Sequence, residues 1–442
     1  MESSNRISLH SNRALQDLRG RADFLITKWN VSLFVLFSTY GPAVPFFGQF
    51  RYLEIFLVAL IFLNLRSHLG ATKERIKFLV YLFVLSGIIH LVSGLLNNSP
   101  NIAIISRFGT YLVLAALVVS IYRISRNNTS ALIVIILGYS LSYVFILFVG
   151  TSTSSAYHLV PWRLGLGYAF TIGVTVFFVI FPKYLPLAPL ALLATSGLHI
   201  FMDARTIGMS SALAAGLCFV AINYGRLRPK KFILRRLVWA IFVLIIVLYS
   251  GFTFFIYLAE SGWLPDEVSS RTLAQNSHTL GFLVAARPDA AAAILAILMH
   301  PILGSGPGLV EPSVLIYYST IAAEVLSSAG EINDSLAFEI QTNWELGTPS
   351  HSHILGAWAD AGVVAAICWA YVIYLALRVL VVSTSFKNAW APLFIFTAIS
   401  TIFTVVFSPG PHRMDMAIKL VILIFALAQF SLGSSQSKIQ QN

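Results

Sequence analysis

Two histidines bracket a serine at 351–353 near the head of the stretch from Pro349 to Val382, and of the about thirty residues that follow them only Asp360 and Arg378 are charged. Imidazole titrates near ambient pH, so a histidine pair at the mouth of a helix is chemistry-capable as acid, base or hydrogen-bonding group. The run that follows predicts a transmembrane helix whose first turn presents His351 and His353 at a membrane surface. At 100° per residue, His351, Leu355, Trp358, Gly362, Ala365 and Trp369 fall on one stripe, and Asp360 falls on the face of His353. On that arithmetic Gly362 opens a groove under His351, and Asp360 can at most orient His353. The purely architectural alternative is a helix that packs closely at Gly362 and Ala365, with polar residues marking the water boundary.

The elements that must position these residues are set by composition. Of 442 residues, 57% are hydrophobic and 11% charged, which excludes a soluble globular protein and predicts an all-α polytopic membrane protein. Twelve apolar spans are predicted, at 30–47, 51–65, 77–97, 106–122, 130–150, 165–182, 185–202, 206–224, 237–259, 352–378, 389–408 and 415–432. The chain then divides into a cytoplasmic tail (1–29), nine spans (30–259), a large outer loop (260–350), three spans (351–432) and a second cytoplasmic tail (433–442). The first tail has no short apolar core with a small-residue cleavage site, and so reads as preceding an uncleaved helix. With both termini inside, 21 of the 29 basic residues fall on the inner side, as the positive-inside rule requires. The net charge of +11 is mostly this topology signal, and a nucleic-acid surface explains it less well. Cys218 and Cys368 both lie in apolar runs, which leaves neither a disulfide framework nor a metal-ligand pair.

The basic residues left for the outer side are seven arginines and one lysine: Arg51, Arg107, Arg163, Arg205, Arg271, Arg287, Arg413 and Lys419. Topology needs only positive charge, whereas planar bidentate recognition of phosphate or carboxylate needs guanidinium, so this bias predicts an anionic ligand on the outer face. About half should instead pair locally, Arg51 with Glu54, Arg205 with Asp203, and Arg413 or Lys419 with Asp415. The outer loop is acidic, ten carboxylates against Arg271 and Arg287. Inside it Asp289–His300 predicts a helix with Asp289 as N-cap and Pro301 as its stop, too short to span and lying at the interface or against the bundle. Arg287 stands just before its N-terminus, where free backbone N–H groups also favour an anion. The Gly304–Gly308 segment that follows reads as a turn-rich connection in preference to a phosphate cradle, because no Walker lysine follows it.

Metalloprotease, serine-hydrolase and dinucleotide fingerprints are absent. What the chain does resemble is the O-antigen ligase and O-antigen polymerase family. The resemblance is carried by HSHILGAWADAGVVA (351–365): a histidine, a small polar residue, then glycine after nine positions, with an acid two before that glycine, here His351, Ser352, Gly362 and Asp360. ARPDAAAAILAILMHPILGSGPG is similar to the family's outer-loop segment and puts Arg287 on its arginine. RTIGMSSALAAG puts Arg205 on another, with Gly216 at the matching glycine; WRLGLG around Arg163 is a looser match. Family members often carry asparagine after the histidine and glycine at the position of Ala365, and this chain departs at both.

The resemblance implies an inverting, metal-independent glycosyltransferase of the bacterial inner membrane, without nucleotide sugar or cofactor, acting on an undecaprenyl-diphosphate-linked glycan at the outer leaflet. It implies His351 as base or acceptor-positioning group, Arg205 and Arg287 as the diphosphate clamp, Arg163, Arg413 and His353 as helpers, and a lipid groove below Gly362. The expected partners are the bilayer, the glycan donor, a glycan or lipid A-core acceptor, a chain-length regulator and a flippase. A polymerase of O-antigen or exopolysaccharide repeats is favoured over a ligase for lipopolysaccharide. The reading from another class is a twelve-span secondary transporter of an anionic solute, which requires essential charges near the midplane with broken helices around them.

Overall fold

The computed structural model describes residues 27–40, 51–63, 74–126, 128–149, 161–202, 204–224, 256–263, 266–277, 288–328, 352–384, 388–407 and 413–439, with a few isolated positions in 246–254 and Ser350. Helices account for all the regular structure among them. In chain order they are α1 (Lys28–Ser38), α2 (Tyr52–Leu63), α3 (Glu74–Leu96), α4 (Asn101–Ser125), α5 (Thr129–Val149), and α6 (Gly167–Ile180, entered through a π-turn at Trp162–Leu166). A 3-10 turn (Pro182–Leu187) leads into α7 (Ala188–Phe201), followed by α8 (Arg205–Tyr224), α9 (Asp266–Ser277), α10 (Pro288–Met299), α11 (Pro312–Ser328), α12 (His353–Ser383), α13 (Ala391–Phe407) and α14 (Arg413–Ile439).

Among the described residues five helical stretches are long and apolar enough to cross a membrane: Glu74–Leu96, Asn101–Ser125, Pro182–Phe201, Arg205–Asn223 and His353–Ser383. Shorter apolar helices accompany them at Thr129–Phe145, Gly167–Ile180, Pro288–Met299 and Ala391–Phe407. The chain is therefore an all-helical membrane protein. Most of the ninth predicted span (237–259) lies outside the described residues, as does the first predicted tail apart from residues 27–29. The last helix runs on to Ile439, through most of the segment predicted as a second tail.

Residues apolar on every side place their helix in the interior, and α13 and α14 obey that rule. Leu393, Phe394, Ile395, Phe396, Leu420, Val421 and Ile422 are all fully buried, with α4, α6, α8 and α12 around them. The segment predicted as an outer loop contributes three helices among the described residues where one was predicted. Its α10 begins one residue earlier than expected, with Pro288 at the first helical position, where a missing N–H costs nothing, so Asp289 sits inside the first turn and is not the N-cap. Ala292, Ala296 and Ile297 of α10 and Val314 and Tyr318 of α11 close a small second core on Ala359 of α12. The acidic loop is thus packed down onto the histidine helix through small side chains that allow close approach.

The largest departure from expectation is in α12. It is not one straight rod: Gly362 has φ 79° and ψ −177°, a region open essentially only to glycine, and the helix breaks there. Sixteen residues of unbroken helix would rise about 24 Å, yet the rings of His353 and Trp369 stack with centroids 4.4 Å apart. The segment before Gly362 is therefore folded back over the segment after it. Val363–Ser383 alone still rises about 31 Å, enough to cross hydrocarbon.

Candidate functional site

A break inside a membrane helix frees backbone groups that cannot stay unpaired in hydrocarbon. The Pro301–Gly308 connection after α10 satisfies them. Ala359 O accepts from Ser305 N at 2.8 Å and from Ser305 Oγ at 3.1 Å, and Asp360 O accepts from Gly306 N at 3.0 Å. In the other direction Val363 N donates to Pro301 O at 3.3 Å, and Trp358 Nε1 donates to the same oxygen at 2.8 Å. Ser93 of α3 reaches the seam from below, its hydroxyl 2.7 Å from Leu303 O and 2.9 Å from Asp360 O. Gly304, Gly306 and Gly308 all take positive φ (70°, 97° and 76°) so that the segment can lie flat on α12 and on the α3–α4 turn. The expectation of a turn-rich connection is met by a docked clamp that holds the broken helix. The expected groove under Gly362 is filled by the backbone of Ile302 and Leu303, and any side chain at 362 would overlap the Ile302 carbonyl.

The fold-back also corrects the helical wheel, whose 100° step is valid only as far as Gly362. Asp360 does not orient His353; its Oδ2 forms an ion pair with Arg107 Nε of α4 at 3.2 Å, the Asp360 side chain being 3% and the Arg107 side chain 45% exposed. His353 is not presented at a membrane surface. Its ring is turned inward onto Trp369, and its Nε2 is buried without a hydrogen-bond partner among the described residues. Trp369 Nε1 donates to Tyr111 Oη at 3.0 Å, and Tyr111 lies 4.7 Å from the ring of His90, whose Nδ1 donates to Ser86 O at 2.7 Å. An aromatic and imidazole column thus runs from the histidine motif into the bundle. His90 was missed by sequence reasoning, although a histidine in the apolar run SGIIHLVSG of α3 is itself the signal. Arg107 was noted only as an outer arginine, yet a lone acid in an apolar run calls for a cation of this kind.

The remaining predicted site residues fall into three places. His351 and Arg287 lie outside the described residues, although each directly adjoins one: Ser352, the N-cap of α12, and Pro288, the first residue of α10. Ser352 accepts from Leu355 N at 3.2 Å and donates to Val405 O at 3.1 Å, which ties the start of the histidine helix to the end of α13. The chain neighbours of Arg163 and Arg205, Trp162 and Ala204, both bond to His199. Trp162 Nε1 donates to His199 Nδ1 at 3.0 Å, which leaves the proton on Nε2 to be donated to Thr171 Oγ1 at 2.7 Å, while Ala204 N donates to His199 O at 2.8 Å. Arg163 is exposed and Arg205 half-buried at the start of α8. Because His199 is fully buried, Trp162→Phe strands its Nδ1 and is expected to cost about 1–3 kcal/mol, read as a lower melting temperature of the detergent-solubilised protein.

Arg413 is the third case. Its Nη2 and Nε donate to Glu54 Oε2 and Oε1 at 2.9 and 3.3 Å, and its Nη1 lies 3.4 Å from Thr110 Oγ1, one helical turn from Arg107. Of the expected local pairs, Lys419 and Asp415 are 2.7 Å apart as predicted. The Arg51 guanidinium instead donates to Tyr40 O at 3.2 Å and lies over the Tyr40 ring, leaving Glu54 to Arg413. Asp203 lies outside the described residues. No family model, no curated protein and no solved structure matches the chain.

Proposed function

We propose that the protein is an inner-membrane glycosyltransferase that polymerises O-antigen or exopolysaccharide repeat units from an undecaprenyl-diphosphate-linked donor at the outer leaflet. The proposal includes twelve spans, both termini in the cytoplasm and the site facing outward. One observation carries it. The arginine-led helix α10 and the Pro301–Gly308 segment, two stretches of the outer loop that resemble the family's motifs, pack directly onto the half-helix headed by the histidine motif. Segments about fifty residues apart in sequence form one unit, with Arg287 and His351 each adjoining it.

In this reaction the acceptor hydroxyl loses its proton to neutral His351 as its oxygen attacks the anomeric carbon of the donor glycan. The bond from that carbon to the diphosphate oxygen breaks with inversion, and the polyprenyl diphosphate leaves as an anion beside Arg205 and Arg287. Arg163 is an exposed reserve of positive charge, next in sequence to the Trp162 that bonds His199. The ligase alternative uses the same donor chemistry with a lipid A-core acceptor. A second reading is favoured by one specific feature: a broken helix beside a buried, ion-paired Asp360 is also what a transporter would build. Against it, the carbonyls freed by the break are spent on the docked loop and do not line an open path.

Deleting the gene and examining the surface polysaccharide ladder together with the carrier-linked pool separates these readings. The polymerase predicts surface glycan cut to a single repeat, the ligase predicts long chains stranded on the carrier, and transport predicts an unchanged ladder and pool. His351→Ala in well-folded protein is expected to lower transfer by about 10²–10⁴-fold, the typical contribution of general acid–base catalysis. Near-full activity in that variant would sink the mechanism.

A further inference from the structure

Arg107 sits in the second turn of the apolar helix α4, and its side chain is 45% exposed while its partner Asp360 is buried. A buried carboxylate needs a cation, but a cation needed only for that purpose would be expected to bury with it and to turn its paired fork toward the acid. Arg107 stays about half exposed. The closest approach to the acid is from Nε, at 3.2 Å, and the two Nη groups with their four N–H donors make no hydrogen bond among the described residues. The acid that holds it cannot follow a moving guanidinium, because the backbone on either side of it is bound: Asp360 O accepts from Gly306 N and lies 2.9 Å from Ser93 Oγ, and Ala359 O accepts from Ser305. The result is a half-exposed guanidinium held at a backbone-anchored acid, with its Nη groups making no hydrogen bond among the described residues.

The helix that carries Arg107 and the segment docked beside Asp360 also expose large aliphatic side chains. Ile102 and Ile105, on the preceding turn of α4, are 81% and 69% exposed, and Ile302 of the docked segment is 70% exposed. A half-exposed guanidinium anchored to a buried acid, on an apolar helix that exposes aliphatic side chains, matches an oxyanion carried on a hydrocarbon chain. We propose that Arg107, aimed by Asp360, binds the phosphate oxyanion of a membrane-embedded lipid phosphate, the prenyl diphosphate donor in preference to a bilayer phospholipid. This rests on the donor class proposed above. Arg107 is a binding residue and Asp360 a positioning residue.

The test is binding of geranylgeranyl diphosphate, which carries no glycan and cannot be transferred, to the full-length protein in phosphatidylcholine nanodiscs. Arg107→Gln is expected to weaken binding about tenfold or more, Arg107→Lys less, and inorganic pyrophosphate is expected to compete. The Asp360→Asn background removes any need for a counterion, so a further loss on adding Arg107→Gln there reports ligand contact and not charge compensation. Exchanging phosphatidylcholine for phosphatidylglycerol identifies the source. Competition by phosphatidylglycerol that Arg107→Gln abolishes, with no effect of pyrophosphate, would keep the oxyanion site and assign it to bilayer phospholipid. Affinity unchanged by Arg107→Gln in both backgrounds, with only the melting temperature lowered, would overturn the proposal. Wild-type protein that bound no prenyl diphosphate would overturn the donor class as well.

Discussion

Gly362→Ala is expected to abolish most of the folded protein, even though it adds one methyl group to a helix in which alanine already dominates. Two costs coincide at this residue. The backbone at φ 79°, ψ −177° is closed to a side chain, and holding it there costs about 1–3 kcal/mol. The new Cβ would also overlap the Ile302 carbonyl, which belongs to backbone and cannot rotate away. Relief requires either straightening α12, which pulls His353 off Trp369, or lifting the 301–306 segment, which strands the Ala359 and Asp360 carbonyls and the Val363 N–H. Each stranded group costs about 1–3 kcal/mol, so the total is expected to reach about 4 kcal/mol or more. Gly216→Ala is the control. Nothing lies within 4 Å of a Cβ there, the residue is helical in α8, and alanine should gain about 0.5–1 kcal/mol. The measurement is the yield and melting temperature of monodisperse protein in detergent. Equal behaviour of the two variants would mean that α12 is straight and that the docked seam does not hold it.

This contrast shows what periodicity can and cannot carry. The apolar runs, the short loop helix ending before Pro301, the turn character of Gly304–Gly308 and the Asp415–Lys419 pair are all local, with spacings of a few residues, and they were legible. The fold-back at Gly362 was not, because a glycine among alanines in an apolar run reads as a close-packing position. What makes it a corner is a carbonyl from a segment about sixty residues earlier. Three glycines between two loop helices were the available signal, since a segment that spends three positive-φ residues must lie against something. The Arg107–Asp360 pair is equally non-local. The acid and the arginine each stood out alone in an apolar run, and only the packing of α12 on α3 and α4 joins them. Of the residues named for chemistry, Arg163 and Arg205 each follow a residue, Trp162 or Ala204, that bonds to His199, a buried residue that composition does not distinguish.

Arg413→Ala is expected to destabilise the protein by about 3–5 kcal/mol while saying little about substrate, because its guanidinium is already committed. Glu54 is 1% exposed and accepts from both Nε and Nη2 of Arg413, from Tyr40 Oη at 3.0 Å and from Arg51 N at 3.1 Å. Removing the arginine leaves a buried carboxylate without its countercharge, and the two neutral donors that remain do not replace it. Arg413→Lys keeps the charge but loses the fork, so an intermediate loss follows. The reverse deletion should be milder: in Glu54→Gln the amide oxygen still accepts from Tyr40 and Arg51 N, and Arg413, 13% exposed, can reach polar surroundings. The double variant Arg413→Met with Glu54→Gln removes both charges together and should recover a large part of the loss, giving a coupling of about 1–3 kcal/mol in a thermal-melting cycle. High salt should leave that coupling nearly intact, since screening acts weakly on buried pairs. If Arg413→Ala instead melted like the wild type but lost glycan transfer, the guanidinium would be free to serve a substrate. The ion pair with Glu54 would then describe a resting state that the donor displaces, which would return Arg413 to the set of residues that hold the diphosphate.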